Sequence, residues 1–185
     1  MSLFSKIILK LLRTNSLNLL KKHPQSSMGE HLKLGDFCNF VFYDKVARMD
    51  LGSNITIRNY CNVLVGNHAE LVMGNGFFMN NFCSINCLEK IEIGENTLFG
   101  EGVKLYDHNH KYSNEPSFKI EQQKFNTAPI KIGKNCWLGS NVTVLKGVTI
   151  GDNCIIGAGC LIYKDVEEGS IVKNKSDLII EKTLI

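Results

Sequence analysis

The sequence predicts an all-β parallel solenoid of stacked triangular coils, on three observations. Residues Ile132 to Glu167 divide without insertion into six hexads that open on Ile132, Leu138, Val144, Ile150, Ile156 and Ile162, all aliphatic. The same frame recurs upstream with small slips, opening on Leu34 and Phe40, on Leu51, Ile57 and Val63, on Met73, Met79 and Ile85, and on Ile93, Phe99 and Leu105. Of these seventeen hexads, nine place glycine directly after the large apolar residue. Finally, the fifth position of the unbroken run is small and apolar throughout: Cys136, Val142, Val148, Cys154, Cys160 and Val166. A helix needs apolar spacing of three and four, and a simple strand needs two. A period of six suits a short strand, a bend and another strand, with three hexads closing one coil.

Each position has a physical reason. The opening aliphatic fills the prism interior and stacks on its equivalents 18 residues before and after in the unbroken frame. The fifth residue also points inward, near a corner where only a small side chain fits. Glycine beside the inward aliphatic lets the backbone take a strained corner without a Cβ clash. Six of the seven cysteines (Cys38, Cys61, Cys83, Cys136, Cys154 and Cys160) fall on the small inward position. They read as core packing rather than chemistry.

A chain of 185 residues suits one domain with a substantial core. Its net charge of +3 is uneven: residues 1–25 hold Lys6, Lys10, Arg13, Lys21 and Lys22 and no acid, so the remainder is net −2. With no basic face on the body, nucleic acid is excluded as a partner. No apolar run reaches the roughly 20 residues that span a bilayer. Ile7-Ile8-Leu9 is broken by Lys10 without a cleavage site after it, and the odd cysteine count includes no CxxC pair. A cytoplasmic protein with reduced thiols and no metal is expected, with a place at the inner membrane surface as the alternative.

Residues 1–25 read as an amphipathic helix and cap, with Leu3, Phe4, Ile7, Ile8, Leu11 and Leu12 to one side. The second reading of residues 3–22 is a weak contact with a membrane surface. Residues 26–172 form the solenoid and residues 173–185 a tail. Between the hexads at Leu105 and Ile132 lies an excursion of about residues 108–129, polar and carrying Pro116 and Pro129. Long excursions inside compact domains are uncommon and often functional. Its root reads Leu105-Tyr106-Asp107-His108-Asn109-His110, so this is the candidate active-site loop. Histidine, neutral near pH 7, is the side chain best matched to taking a proton from a hydroxyl as it attacks. Asp107 is placed to orient either imidazole.

The hexads, the DHNH root and the later Ala128-Pro129-Ile130-Lys131-Ile132-Gly133-Lys134-Asn135-Cys136-Trp137-Leu138-Gly139-Ser140 resemble the hexapeptide-repeat acetyltransferases. The likeness is to the maltose, galactoside and nodulation group, with the polysaccharide O-acetyltransferases beside it. That resemblance implies a left-handed β-helix, acetyl-CoA as cosubstrate, a saccharide acceptor and a homotrimer with sites shared between chains. It places the base at the start of the loop. Counting without gaps from Leu105 selects His110, whereas a short gap selects His108.

The resemblance further implies that Gly139, Ser140, Gly157 and Ala158 line the pantetheine groove, with Tyr163 and Lys164 near the nucleotide end. Glycine and alanine are also what the fold requires there. It implies acceptor contacts from Asn80, Asn81 and Trp137, which could equally be corner residues. The stretch Val172-Lys173-Asn174-Lys175-Ser176-Asp177 departs from the group's proline-containing tail, so Lys173 or Lys175 would have to serve the coenzyme phosphate. Within acetyltransferases, an antibiotic or the amine of a nucleotide-linked amino sugar is the alternative acceptor. Outside them stand a γ-type zinc carbonic anhydrase, which would use His68, His108 and His110, and a non-catalytic scaffold. A sugar nucleotidyltransferase would need a further nucleotide-binding domain.

Overall fold

The computed structural model describes residues 3–175; the part of the tail from residue 176 on lies outside them. One helix, Leu3–Lys22, precedes a left-handed parallel β-helix of about six turns. Three parallel sheets of six, seven and six strands form the prism faces, and successive strands move from the first face to the second to the third. All seventeen hexad-opening residues are buried and belong to one core.

The turns are not uniform. Phe40 aligns with Val63, Val63 with Ile85, Ile85 with Leu105 and Val144 with Ile162, so a turn takes 23, 22, 20 and finally 18 residues. The uniform 18-residue stacking expected from the hexads holds only for the last turns. The extra residues lengthen strands such as Asn62–Val65 and Glu70–Met73 and widen the corner between the third and first faces, where Gly66 to Ala69 sit. The excursion is inserted at that same corner.

The glycines act differently from the expectation. Gly133 and Gly139 have no left-handed backbone. Their role is close approach: a Cβ on Gly139 would lie 2.7 Å from the Ala158 nitrogen of the next turn. The left-handed corner falls two residues later, at Asn135 (φ 54°) and Asn141 (φ 58°). Asparagine tolerates that region better than most residues. In the early turns the corresponding corner holds Phe37, Tyr60 and Phe82, all left-handed. Their rings stack at 5.1 Å with interplanar angles of 8° and 6°, which offsets part of the backbone cost.

The small inward position behaves as expected. Cys61, Cys83, Cys136, Cys154 and Cys160 are buried, Cys38 is half-buried, and all are free thiols. Thr97 takes the same position before the excursion. Its hydroxyl donates to the Gly133 carbonyl at 2.9 Å and accepts from the Cys136 amide at 3.1 Å, tying together the turns that the excursion separates in sequence.

Candidate active site

The excursion is a β-hairpin, not a loop. His108–Ser113 pairs antiparallel with Lys119–Thr127, His108 opposite Thr127 and His110 opposite Phe125, with a register shift between His110 and Lys111. The Ala128 amide donates to the Asp107 carbonyl at 2.9 Å and closes the base. The polar composition of residues 108–129 concealed this, because a two-stranded ribbon exposed on both faces has no apolar alternation to show.

Tyr106 aligns with Asn86, which carries Asp107 into the inward column that Val65 and Cys87 occupy in the turns before it. Asp107 is fully buried among apolar residues. A buried carboxylate needs compensation, and three backbone amides at the wide corner provide it. Leu88 donates at 2.9 Å, Glu89 at 2.7 Å and Lys90 at 3.0 Å. Burial, and next the Asp107 charge, push the neighbouring Cys87 thiol far above its ordinary value, so it stays protonated.

The remaining partner of Asp107 is His108, whose Nδ1 lies 3.0 Å from Oδ1. A carboxylate only accepts, so Nδ1 carries a proton, and in the neutral imidazole Nε2 is then the nitrogen with the lone pair. The Phe125 and Tyr106 rings both meet His108 edge-on, at 5.2 Å and 6.4 Å. The His108 side chain is 17% exposed, so only a small part of the ring meets solvent. His110 is exposed, rests against Phe125 at 4.7 Å, and has no carboxylate partner among the described residues.

His108 opens on a cleft of about 470 Å³ between the hairpin and the wide corner. Tyr43, Asn67, Asn86, Leu88, Gln123 and Phe125 are among its walls, and His108 is its one ionisable group apart from the Tyr43 phenol. Two amides have unspent valence there. Asn67 uses Oδ1 on the Lys45 amide, leaving its NH₂ free to donate. Asn86 uses Nδ2 on Ser84, leaving Oδ1 to accept. Sequence reasoning missed Tyr43, Asn67, Asn86 and Gln123. The signal available was the hexad slips, which place extra residues at one corner in every early turn.

The other candidate residues divide by location. Gly139, Ser140, Gly157 and Ala158 stack along the corner between the second and third faces, and Tyr163 and Lys164 follow the last strand of the third face, the face from which the strand leading to His108 comes. Ser140, Ala158, Tyr163 and Lys164 are exposed, with the Lys164 Nζ 5.7 Å from the Tyr163 ring centre. Asn80 and Asn81 sit at that corner with their side-chain oxygens engaged: Asn80 accepts from the Asn81 amide at 2.8 Å, and Asn81 accepts from the Asn59 amide at 3.1 Å. Trp137 stands out from the second face, 53% exposed, and is not among the residues walling the His108 cleft.

Residues 129–164 match the family described as bacterial transferase hexapeptide (six repeats), over turns whose strands stack in that repeat. The match covers the late turns of the solenoid. The chain is 31% identical over 110 residues to a putative lipopolysaccharide biosynthesis O-acetyl transferase of Escherichia coli, a match covering 56% of each chain. It is 39% identical over 111 residues to nodulation protein L of Rhizobium meliloti, covering 60% of this chain and 55% of the relative. The chain thus matches about half the length of these curated relatives. Its fold is shared by an N-acyltransferase from Bacillus cereus solved with dTDP and coenzyme A, at 16% identity and a TM-score of 0.69, covering 84% of this chain and 82% of that one. No described helix is long and apolar enough to cross a membrane.

Proposed function

We propose that this protein is an acetyl-CoA-dependent O-acetyltransferase that acetylates a hydroxyl of a sugar or surface-polysaccharide precursor on the cytoplasmic side of the membrane. The observation that carries this reading is the Asp107–His108 pair at the mouth of a neutral polar cleft. His108 Nε2 takes the hydroxyl proton as the acceptor oxygen bonds to the acetyl carbon, then returns it to the departing coenzyme thiolate. Asp107 holds the imidazole in the tautomer this needs. The NH₂ of Asn67 and Oδ1 of Asn86 offer one donor and one acceptor to neighbouring acceptor hydroxyls. The E. coli relative's name supports the acceptor class.

Acetyl-CoA fits the late turns. Ser140 and Ala158 present a small outer profile, and exposed Lys164, Lys173 and Lys175 are available to the nucleotide phosphates. His110, Asn80, Asn81 and Trp137 serve in this reading as contacts on the far side of the acceptor or from a neighbouring chain. The test is transfer of radiolabelled acetyl from acetyl-CoA to a panel of free, lipid-linked and polymeric saccharides, with amino sugars and antibiotics alongside. Ala158→Trp should abolish coenzyme binding with circular dichroism unchanged; unchanged affinity would remove the late-turn groove. Transfer only to amines would replace the hydroxyl acceptor.

The assembly in this reading is a homotrimer. Outward residues of the second face align as Phe78, Leu98, Trp137, Ile155 and Ile171, and the last four are 38–62% exposed. A continuous apolar ladder of this kind marks an interaction surface. Sedimentation equilibrium at micromolar protein should return three chain masses, and one chain mass would overturn the assembly.

A further inference from the structure

A surface helix ordinarily turns its apolar side toward the body it covers. The Leu3–Lys22 helix does the opposite over its first three turns. At about 100° per residue, Leu9, Ser16 and Leu20 lie on one side of the helix. Leu20 is 1% exposed and joins the core, Leu9 and Ser16 are partly buried, and Arg13 ties the helix to Asp36 at 2.6 Å. Leu3, Phe4, Ile7 and Leu11 fall on the side facing away, 76%, 72%, 50% and 63% exposed, with Ile8 and Leu12 extending that arc. Lys10 and Lys21, both exposed, flank it. The segment holds five cations and no acid before residue 26, while the rest of the chain is net negative.

We propose that this outward face is a docking surface for an anionic lipid bilayer, on which the helix lies in the interface with Leu3, Phe4, Ile7 and Leu11 among the upper acyl chains. Charge decides the occupant. Pairing the arc with the same helix of a second copy would bring cation against cation. A bilayer bearing acidic headgroups satisfies both the apolar arc and the lysines beside it. The helix lies on the membrane rather than through it: its 20 residues are interrupted by Lys10, Arg13 and Lys21 and are not apolar enough to cross. This surface stands independently of the acetyl-transfer reading, because it uses no residue of the His108 cleft.

The experiment is co-sedimentation of the full chain with extruded vesicles of phosphatidylcholine, with and without phosphatidylglycerol. The wild type should partition to the phosphatidylglycerol vesicles and be released by salt. The double variant Ile7→Glu, Leu11→Glu should lose about a hundredfold in partition, from two buried aliphatic side chains. Lys10→Gln should lose about fivefold. Both sites are exposed, so the thermal midpoint and circular dichroism of the variants should match wild type, which separates lost docking from lost folding. Equal partition onto neutral and acidic vesicles would overturn the proposal, as would unchanged binding by the double variant. A double variant that loses solution mass, with no wild-type binding to either vesicle, would assign the face to a second copy instead.

Discussion

Replacing His108 with alanine should lower turnover by about 10²–10⁴ while leaving acetyl-CoA binding nearly intact. The magnitude is that of a general base removed from a reaction whose remaining requirement is the positioning of two substrates. The warrant is that, among the described histidines, His108 alone has Nδ1 committed to a buried carboxylate, at 3.0 Å, and stands in the wall of the cleft. His110→Ala should cost less than tenfold, because that ring is exposed and touches Phe125 rather than a carboxylate. Steady-state rates on a responsive acceptor, or slow hydrolysis of acetyl-CoA where none is found, check the order. A larger loss in His110→Ala would move the base two residues along the hairpin. Near-wild-type rates in both variants would remove the mechanism altogether.

Asp107→Ala carries the second large effect, on stability and rate together. The Asp107 carboxylate is the partner of the amides of Leu88, Glu89 and Lys90, and removing it leaves three donors at a largely enclosed corner. At roughly 1–3 kcal/mol per stranded group, with water recovering part, the cost should be about 3–5 kcal/mol in urea unfolding. His108→Ala should shift the urea midpoint little by comparison. Asp107→Asn separates the two duties. It keeps the shape and one acceptor oxygen, so it should recover much of the stability. It no longer presents a charged acceptor to Nδ1, so turnover should stay well below wild type. An Asp107→Ala protein as stable as wild type would show that the amide clasp is dispensable, and full activity in Asp107→Asn would show the same of the tautomer.

The two histidines at the root of the excursion show where the hexad frame ceases to inform. Counting without gaps from Leu105 on the family resemblance selects His110, and a short gap selects His108. The chain continues the inward column one residue past Tyr106, buries Asp107, and starts a hairpin at His108. The inward run of apolar residues concealed this, since a buried carboxylate inside a hydrophobic column is legible only once its amide partners are known. Those partners come from a different turn, some 20 residues earlier in the chain.

The sequence by itself determined the solenoid, the inward column of seventeen hexads, the small residues at its corners and the position of the excursion. These follow from local periodicity, which consecutive hexads of the run display. The tertiary structure decided the rest. It placed the extra residues of the early turns at one widened corner, which walls the cleft. It pairs Asp107 with the Leu88–Lys90 amides, and it turns the apolar arc of the first helix outward. Each of these depends on which turn stacks on which, and on which side of a helix meets the body. Stacking register and docking direction are relations between distant segments, set by packing and by the satisfaction of buried polar groups, and no local pattern carries them.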